Sequence, residues 1–208
     1  MAKEYYYDEV KHAGKILHKQ YTDMMLKYQF DVVLMAEQIG IEEAESFLLN
    51  LIDKAPNFIQ PYADLCVLYS RLEGVEDELA AIESAGFVIS KSLVIDKNGN
   101  FPEVLEWGYI ENRPIVRFLN MGAEELWQEG NLDEAKGLYE GLLRSNWMDN
   151  IGARYCLLAI YQGMSFDDYY NSFEAEDGLG KDIDKWFNKG FKKYPLLVEW
   201  DKQTEQFM

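Results

Sequence analysis

Histidine is nearly missing from this chain: His12 and His18 are the only two. Their spacing puts them on different faces of a helix, so they read as exposed residues and not as a metal pair. Cysteine is as scarce. Cys66 and Cys156 lie far apart, form no CxxC and sit inside apolar helical patterns, so each is expected as a small buried hydrophobe with no disulfide between them. A glycine-rich phosphate loop, a GxSxG elbow and an HExxH helix are all lacking, and none of the remaining patterns asks for a cofactor. No apolar run approaches the roughly 20 residues of a membrane span, and the opening MAKEYYYDEVKHAGK has no signal-like core. A cytoplasmic chain with no membrane partner is the expectation. Basic residues are outnumbered, 20 Lys and Arg against 37 Asp and Glu, for a net charge of -17. Phosphate contacts need the opposite balance, so nucleic acid is not the expected partner.

What the chain does have is apolar content, 48% of 208 residues, enough to bury roughly 70% of the unfolded surface. The pattern is helical. In Val116–Asp149, Leu119, Ala123 and Leu126 recur at helical spacing and Gly130-Asn131 breaks the run. Leu132, Ala135, Tyr139 and Leu142 then resume it. Such a hairpin cannot bury its apolar stripe alone, so it calls for copies. The clearest is IGIEEAESFLLNLIDKAPNF, where Ile41 matches Leu132, Ala44 matches Ala135, Leu48 matches Tyr139, Leu51 matches Leu142 and Pro56 matches Trp147.

Taken in order, the chain reads as one domain, 1–208. It has an N-terminal capping helix over 5–24, hairpins at about 25–58, 59–92, 116–149 and 150–183, and a closing helix over about 183–194 that stops before Pro195. Residues 174–182 read as a loop. Residues 93–115 break the spacing and carry the strong Asn98-Gly99 turn, so they read as an insertion with room for a short hairpin. Asp96, Asn98 and Asn100 fall at the first, third and fifth positions of a calcium loop. Phe101 and Trp107 stand where that loop needs glycine and glutamate, so a plain turn is the stronger reading. Neighbouring acids such as Glu124-Glu125 and Asp167-Asp168 splay apart on a helix and read as solvated surface.

The spacing of Ala44 to Pro56, and of Leu119 through Gly130, Ala135 and Tyr139, resembles the tetratricopeptide-repeat family, whose period is about 34 residues. Trp147 stands where that family has proline, and Tyr169 where it has a small residue. The run from Trp107 to Tyr155, with WxxxxxRP before the central hairpin and DNxGxRY after it, also resembles a turn variant of some bacterial repeat proteins. The resemblance implies a right-handed array of antiparallel helix hairpins acting as a non-catalytic scaffold for a peptide or protein partner. It further implies that the first helix of each repeat lines a groove. The groove positions then hold Gln60, Arg71, Arg117, Asn120, Glu124, Gln128, Arg154 and Gln162, of which Arg71, Arg117, Asn120, Glu124, Gln128 and Arg154 are the expected partner contacts. The alternative for Arg117 and Arg154 is pairing with Glu124 and nearby acids, or bracing the turn near Asp149. Two other functions stay open: an α-helical hydrolase using acids near the insertion, and a self-assembling subunit.

Overall fold

A computed structural model describes residues 4–175, 178–180 and 182–205. The fold is all-α. Extended pairing among the described residues is confined to a two-residue ladder, Glu174–Ala175 with Gly178–Leu179, inside the stretch read as a loop, and one bridge between Glu4 and Val104. Residues 176, 177 and 181 of that stretch lie outside the described residues. The chain divides into two compact units. One is Tyr6–Leu93 with Ile110–Phe118; the other is Val94–Tyr109 and the chain from Leu119 onward, with the start of the chain up to Tyr5.

In the first unit, the carboxylate of Asp8 accepts the Lys11 amide at 3.0 Å and opens α1, Glu9–Ala13. The single capping helix expected over 5–24 is broken here, because Gly14 takes φ +76° and turns the chain before α2, Lys15–Lys27. Of the three leading tyrosines Tyr7 is the one built into the core. It is fully buried, its hydroxyl donates to the Asn57 carbonyl and accepts the Ile59 amide (2.9 Å), and its own amide donates to Asn112 Oδ1 (3.0 Å). Asp31 opens α3, Val32–Ile39, by accepting the amides of Val33 and Leu34, so the hairpin placed at 25–58 begins its first helix at Val32, with Met25 still in α2. Next come α4, Ile41–Lys54, α5, Gln60–Tyr69, and the long α6, Glu76–Val94. The core gathers Tyr21, Met25, Met35, Leu48, Phe58 and Leu65.

Helix α7, Arg113–Gln128, counts with the first unit up to Phe118 and with the second from Leu119. The second unit continues through α8, Leu132–Ser145, α9, Ala153–Tyr161, α10, Phe166–Phe173, and α11, Asp182–Gly190. A last helix, α12, Pro195–Glu205, was not expected. The proline read as a stop is instead its first residue, where the missing N–H costs nothing. Leu197 is fully buried there, and Trp200 Nε1 donates to the Trp147 carbonyl at 2.7 Å.

The insertion makes its Asn-Gly turn, with Gly99 N donating to Asp96 O at 2.9 Å, but forms no hairpin. Its backbone pairs with remote chain instead: Tyr5 N donates to Val104 O (2.8 Å) and Leu105 N to Ser145 O (2.7 Å). Burial favours this arrangement, since Leu105 is fully enclosed where its amide meets the end of α8.

The matched hairpins pack alike. Both α4 and α8 run 14 residues, from Ile41 and from Leu132. Ala44 and Ala135 are 0% exposed, Leu48 and Tyr139 likewise, while Ile41 and Leu132 are each 43% exposed. The same offset carries Leu65 to Cys156 and Leu68 to Ala159, all buried. A small residue in the first turn of each second helix lets its neighbour approach closely, so one packing code is used twice.

Candidate functional site

Asn120, Glu124 and Gln128 share one face of α7, four residues apart, as the groove expectation requires. Asn120 Nδ2 donates to Glu124 Oε1 at 2.8 Å. The face does not simply open to solvent. Asn120 Oδ1 is buried and makes no hydrogen bond, and neither does the hydroxyl of fully buried Tyr139. Cys156 lies in the same seam, 3.9 Å from the Tyr169 hydroxyl. Burial pushes the Cys156 thiol up to about 12, with the Glu124 carboxylate adding to the effect. Burial also raises Tyr139 and Tyr169, and Cys156 and Glu124 push in the same direction. A thiol held in its neutral form by these surroundings is no nucleophile at neutral pH. The seam joins two expected contact residues, Asn120 and Glu124, to Tyr139, Cys156 and Tyr169. Gln128 is exposed at the far end, on the rim of a depression of about 290 Å³ lined by Trp127, Met164 and Phe166.

Arg154 belongs to a different construction, the DNxGxRY run. Asp149, 4% exposed and at φ +47°, accepts the amides of Ala153 (2.6 Å) and Arg154 (3.2 Å) and so caps α9. Gly152 supplies the left-handed residue the turn needs, at φ +75°. Arg154 Nη1 then pairs with Asp149 Oδ2 at 2.7 Å, and Nη2 donates to the Tyr155 hydroxyl, which donates in turn to Asp184. The guanidinium lies 4.0 Å from the Tyr155 ring centroid and 5.0 Å from that of Trp200. Burial raises the Asp149 carboxyl and Arg154 opposes the rise. Arg154 braces this turn through its ion pair with Asp149 and its stacking on Tyr155 and Trp200.

In the first unit Arg71 is exposed just beyond the end of α5, and Arg117 is exposed on α7. The six expected contact residues thus fall in both units, Arg71 and Arg117 in one and the remaining four in the other. Gln60 meets a group the sequence reading passed over. Its Nε2 donates to Asp64 Oδ1 (3.0 Å), while the buried Tyr21 hydroxyl donates to Asp64 Oδ2 (2.8 Å). Asp64 is 8% exposed, and burial lifts its carboxyl to about 6 against the pull of those two hydrogen bonds. Nearby, His18 Nε2 is 3.1 Å from Glu9 Oε2, and His12 stacks on Tyr7 at 4.8 Å between centroids. Neither histidine is the exposed residue expected, because the bend at Gly14 folds both against the unit's own core. An aspartate inside the apolar run QPYADLCVLY was the signal that could have found this cluster. Both oxygens of Asp64 are occupied and the group is sealed, so it holds α2 to α5 and offers no substrate access.

At the insertion, Asp96 Oδ1 accepts the amides of Asn98 (2.8 Å) and Asn100 (3.0 Å), and these donors hold its carboxyl below the usual range. That is an Asx turn, whose oxygens are turned to N–H donors. Among the described residues no group of three or more His, Cys, Asp and Glu side chains is arranged to hold a metal, and no helix is long and apolar enough to cross a membrane. Set against known protein families, curated proteins and solved structures, the chain matches none of them.

Proposed function

We propose that this chain is a non-catalytic, tetratricopeptide-like scaffold that works in the cytoplasm and holds a peptide or protein partner along the first helices of its hairpins. The observation that carries this reading is the twice-used packing code, Ala44, Leu48 and Leu51 in α4 and Ala135, Tyr139 and Leu142 in α8, buried alike at the same offset. Repeated hairpins of this kind spend their sequence on stacking and leave helix faces for partners. The sealed state of Asp64 and the neutral thiol of Cys156 favour binding over catalysis. Arg154 is engaged at the turn by Asp149, and the reading rests on Arg71 and Arg117 as partner contacts of the first unit and, taken separately, on Gln128 with the polar pair Asn120 and Glu124 on the same helix face in the second. The net charge of -17 argues against nucleic acid as the partner.

The test is affinity capture from the native cell with the tagged chain and with an Arg71→Glu, Arg117→Glu variant, both checked by circular dichroism. A protein retained by the first and lost from the second is the expected result. Equal recovery on both would remove the groove from the account.

A further inference from the structure

Helix α4 turns Ala44, Leu48 and Leu51 inward, and its opposite face is open. On that face Glu42, Ser46 and Asn50 form a ridge at four-residue spacing. A groove of about 580 Å³ follows one flank over Met24, Ile39 and Phe47, and another of about 460 Å³ follows the other flank past Leu49, which is 40% exposed. The charged residues lining the two grooves are all acidic. Glu45 is held by the Tyr69 hydroxyl at 2.6 Å, while Glu42, Glu43 and Asp53 are exposed at the rims.

The chain carries its own example of what covers such a face. At the constant offset between the hairpins, Asp133, Gly137 and Gly141 of α8 stand where Glu42, Ser46 and Asn50 stand in α4. There the Phe101 ring lies against Gly141, and a little further on Leu105 N donates to Ser145 O at the last turn of the helix. The cover is an extended run with an aromatic anchor and a backbone hydrogen bond to the helix end. On α4 the corresponding face has grooves in place of that cover.

We propose that the outward face of α4 docks an extended segment of another protein, one with an aromatic or aliphatic anchor flanked by lysine or arginine. The anchor seats over Met24, Ile39 and Phe47. The flanking cations meet Glu42, Glu43 and Asp53, which steer the encounter and select against acidic segments. A second copy is a poor occupant, since two chains of charge -17 would bring acid against acid here. The inference rests on the scaffold reading in general but uses a different face from the first-helix groove, so the two can fail separately.

The probe is a fluorescent peptide, Lys-Lys-Phe-Pro-Lys-Val-Leu-Lys-Lys, built on the chain's own covering segment 101–105 with lysine in place of Glu103 and lysine flanks, and its counterpart with glutamate in place of every lysine. Anisotropy against the full chain should show saturable binding of the lysine peptide, weakened by salt, and much weaker binding of the glutamate peptide. Ser46→Arg, which fills the ridge between the grooves, and the pair Glu42→Lys, Glu43→Lys should each weaken it about tenfold or more. All three positions are exposed, and unchanged circular dichroism and melting would confirm that the variants are folded. Arg71→Glu with Arg117→Glu should leave this binding unchanged. The proposal is overturned by failure to saturate, by equal binding of both peptides, or by indifference to Ser46→Arg. It is equally overturned if the loss follows Arg71 and Arg117 instead, a result that would favour the first-helix groove. A concentration-dependent dimer abolished by Ser46→Arg would give the face to a second copy and overturn it too.

Discussion

Phe101 lies against Gly141 so closely that a side chain at 141 would collide with its ring. This one relationship fixes the insertion onto α8 and explains a glycine in the middle of a helix, where it otherwise costs about 1 kcal/mol relative to alanine.

The pair Gly141 and Gly137 therefore gives opposite signs on the same helix. A Cβ at Gly137 meets nothing within 4 Å, so Gly137→Ala should stabilise the chain by up to about 1 kcal/mol. Gly141→Ala should gain the same propensity and lose more by displacing Phe101, for a net loss of about 1–2 kcal/mol. Urea unfolding of the two variants beside the parent chain measures both. Stabilisation by Gly141→Ala would mean that the insertion does not rest on α8.

Ala135 is 0% exposed at the centre of the repeated packing code. Ala135→Arg should cost about 3 kcal/mol or more, through overpacking and a buried unpaired charge. Thermal melting by circular dichroism should show a large fall in Tm. A shift of only a degree or two would place the hairpin register elsewhere.

Asp64 makes stability depend on pH in a direction opposite to that of most carboxylates. Its folded value, about 6, lies above the unfolded 3.8. Between those values the folded chain holds a proton that the unfolded chain has released, so stability falls as pH rises through this window. Above about pH 6 the penalty is constant, on the order of 3 kcal/mol. The difference in unfolding free energy between the parent and Asp64→Asn should change across that window and flatten on either side. A difference independent of pH would mean that Asp64 is not sealed.

Arg154→Lys keeps the charge but loses the planar fork and its stacking on Tyr155 and Trp200, and should cost about 1–2 kcal/mol. Arg154→Ala leaves Asp149 buried without its cation and should cost more, about 3 kcal/mol. Trp200 fluorescence should report the change in its surroundings. Full stability of Arg154→Ala would release Arg154 from the turn and return it to the groove.

The amides of residues 97–100 sit in an exposed turn closed by Asp96, and their hydrogen exchange should be fast compared with that of α8. Millimolar calcium should leave it unchanged. Selective slowing around Asp96 would instead favour the calcium loop.

The sequence by itself determined the all-α class and the matched register of α4 and α8, because both follow from apolar spacing and from small residues at helix contacts, which are local and periodic. It also determined the Asn98-Gly99 turn, a property of two neighbouring residues. The tertiary structure decided the rest. Gly14 breaks the first helix and Pro195 starts the last one, since a residue compatible with both an end and a beginning is settled by what its flanks can bury. Asp64 was legible as a charge but not as a buried one, and the brace of Arg154 at Asp149 was legible without its stacking on Trp200: Tyr21 and Trp200 come from other elements, and burial depends on what packs around each charge. The covering of α8 by Phe101 and Leu105, with α4 left open, is likewise beyond any local pattern, because two helices with one packing code differ only in what the remainder of the chain lays across them.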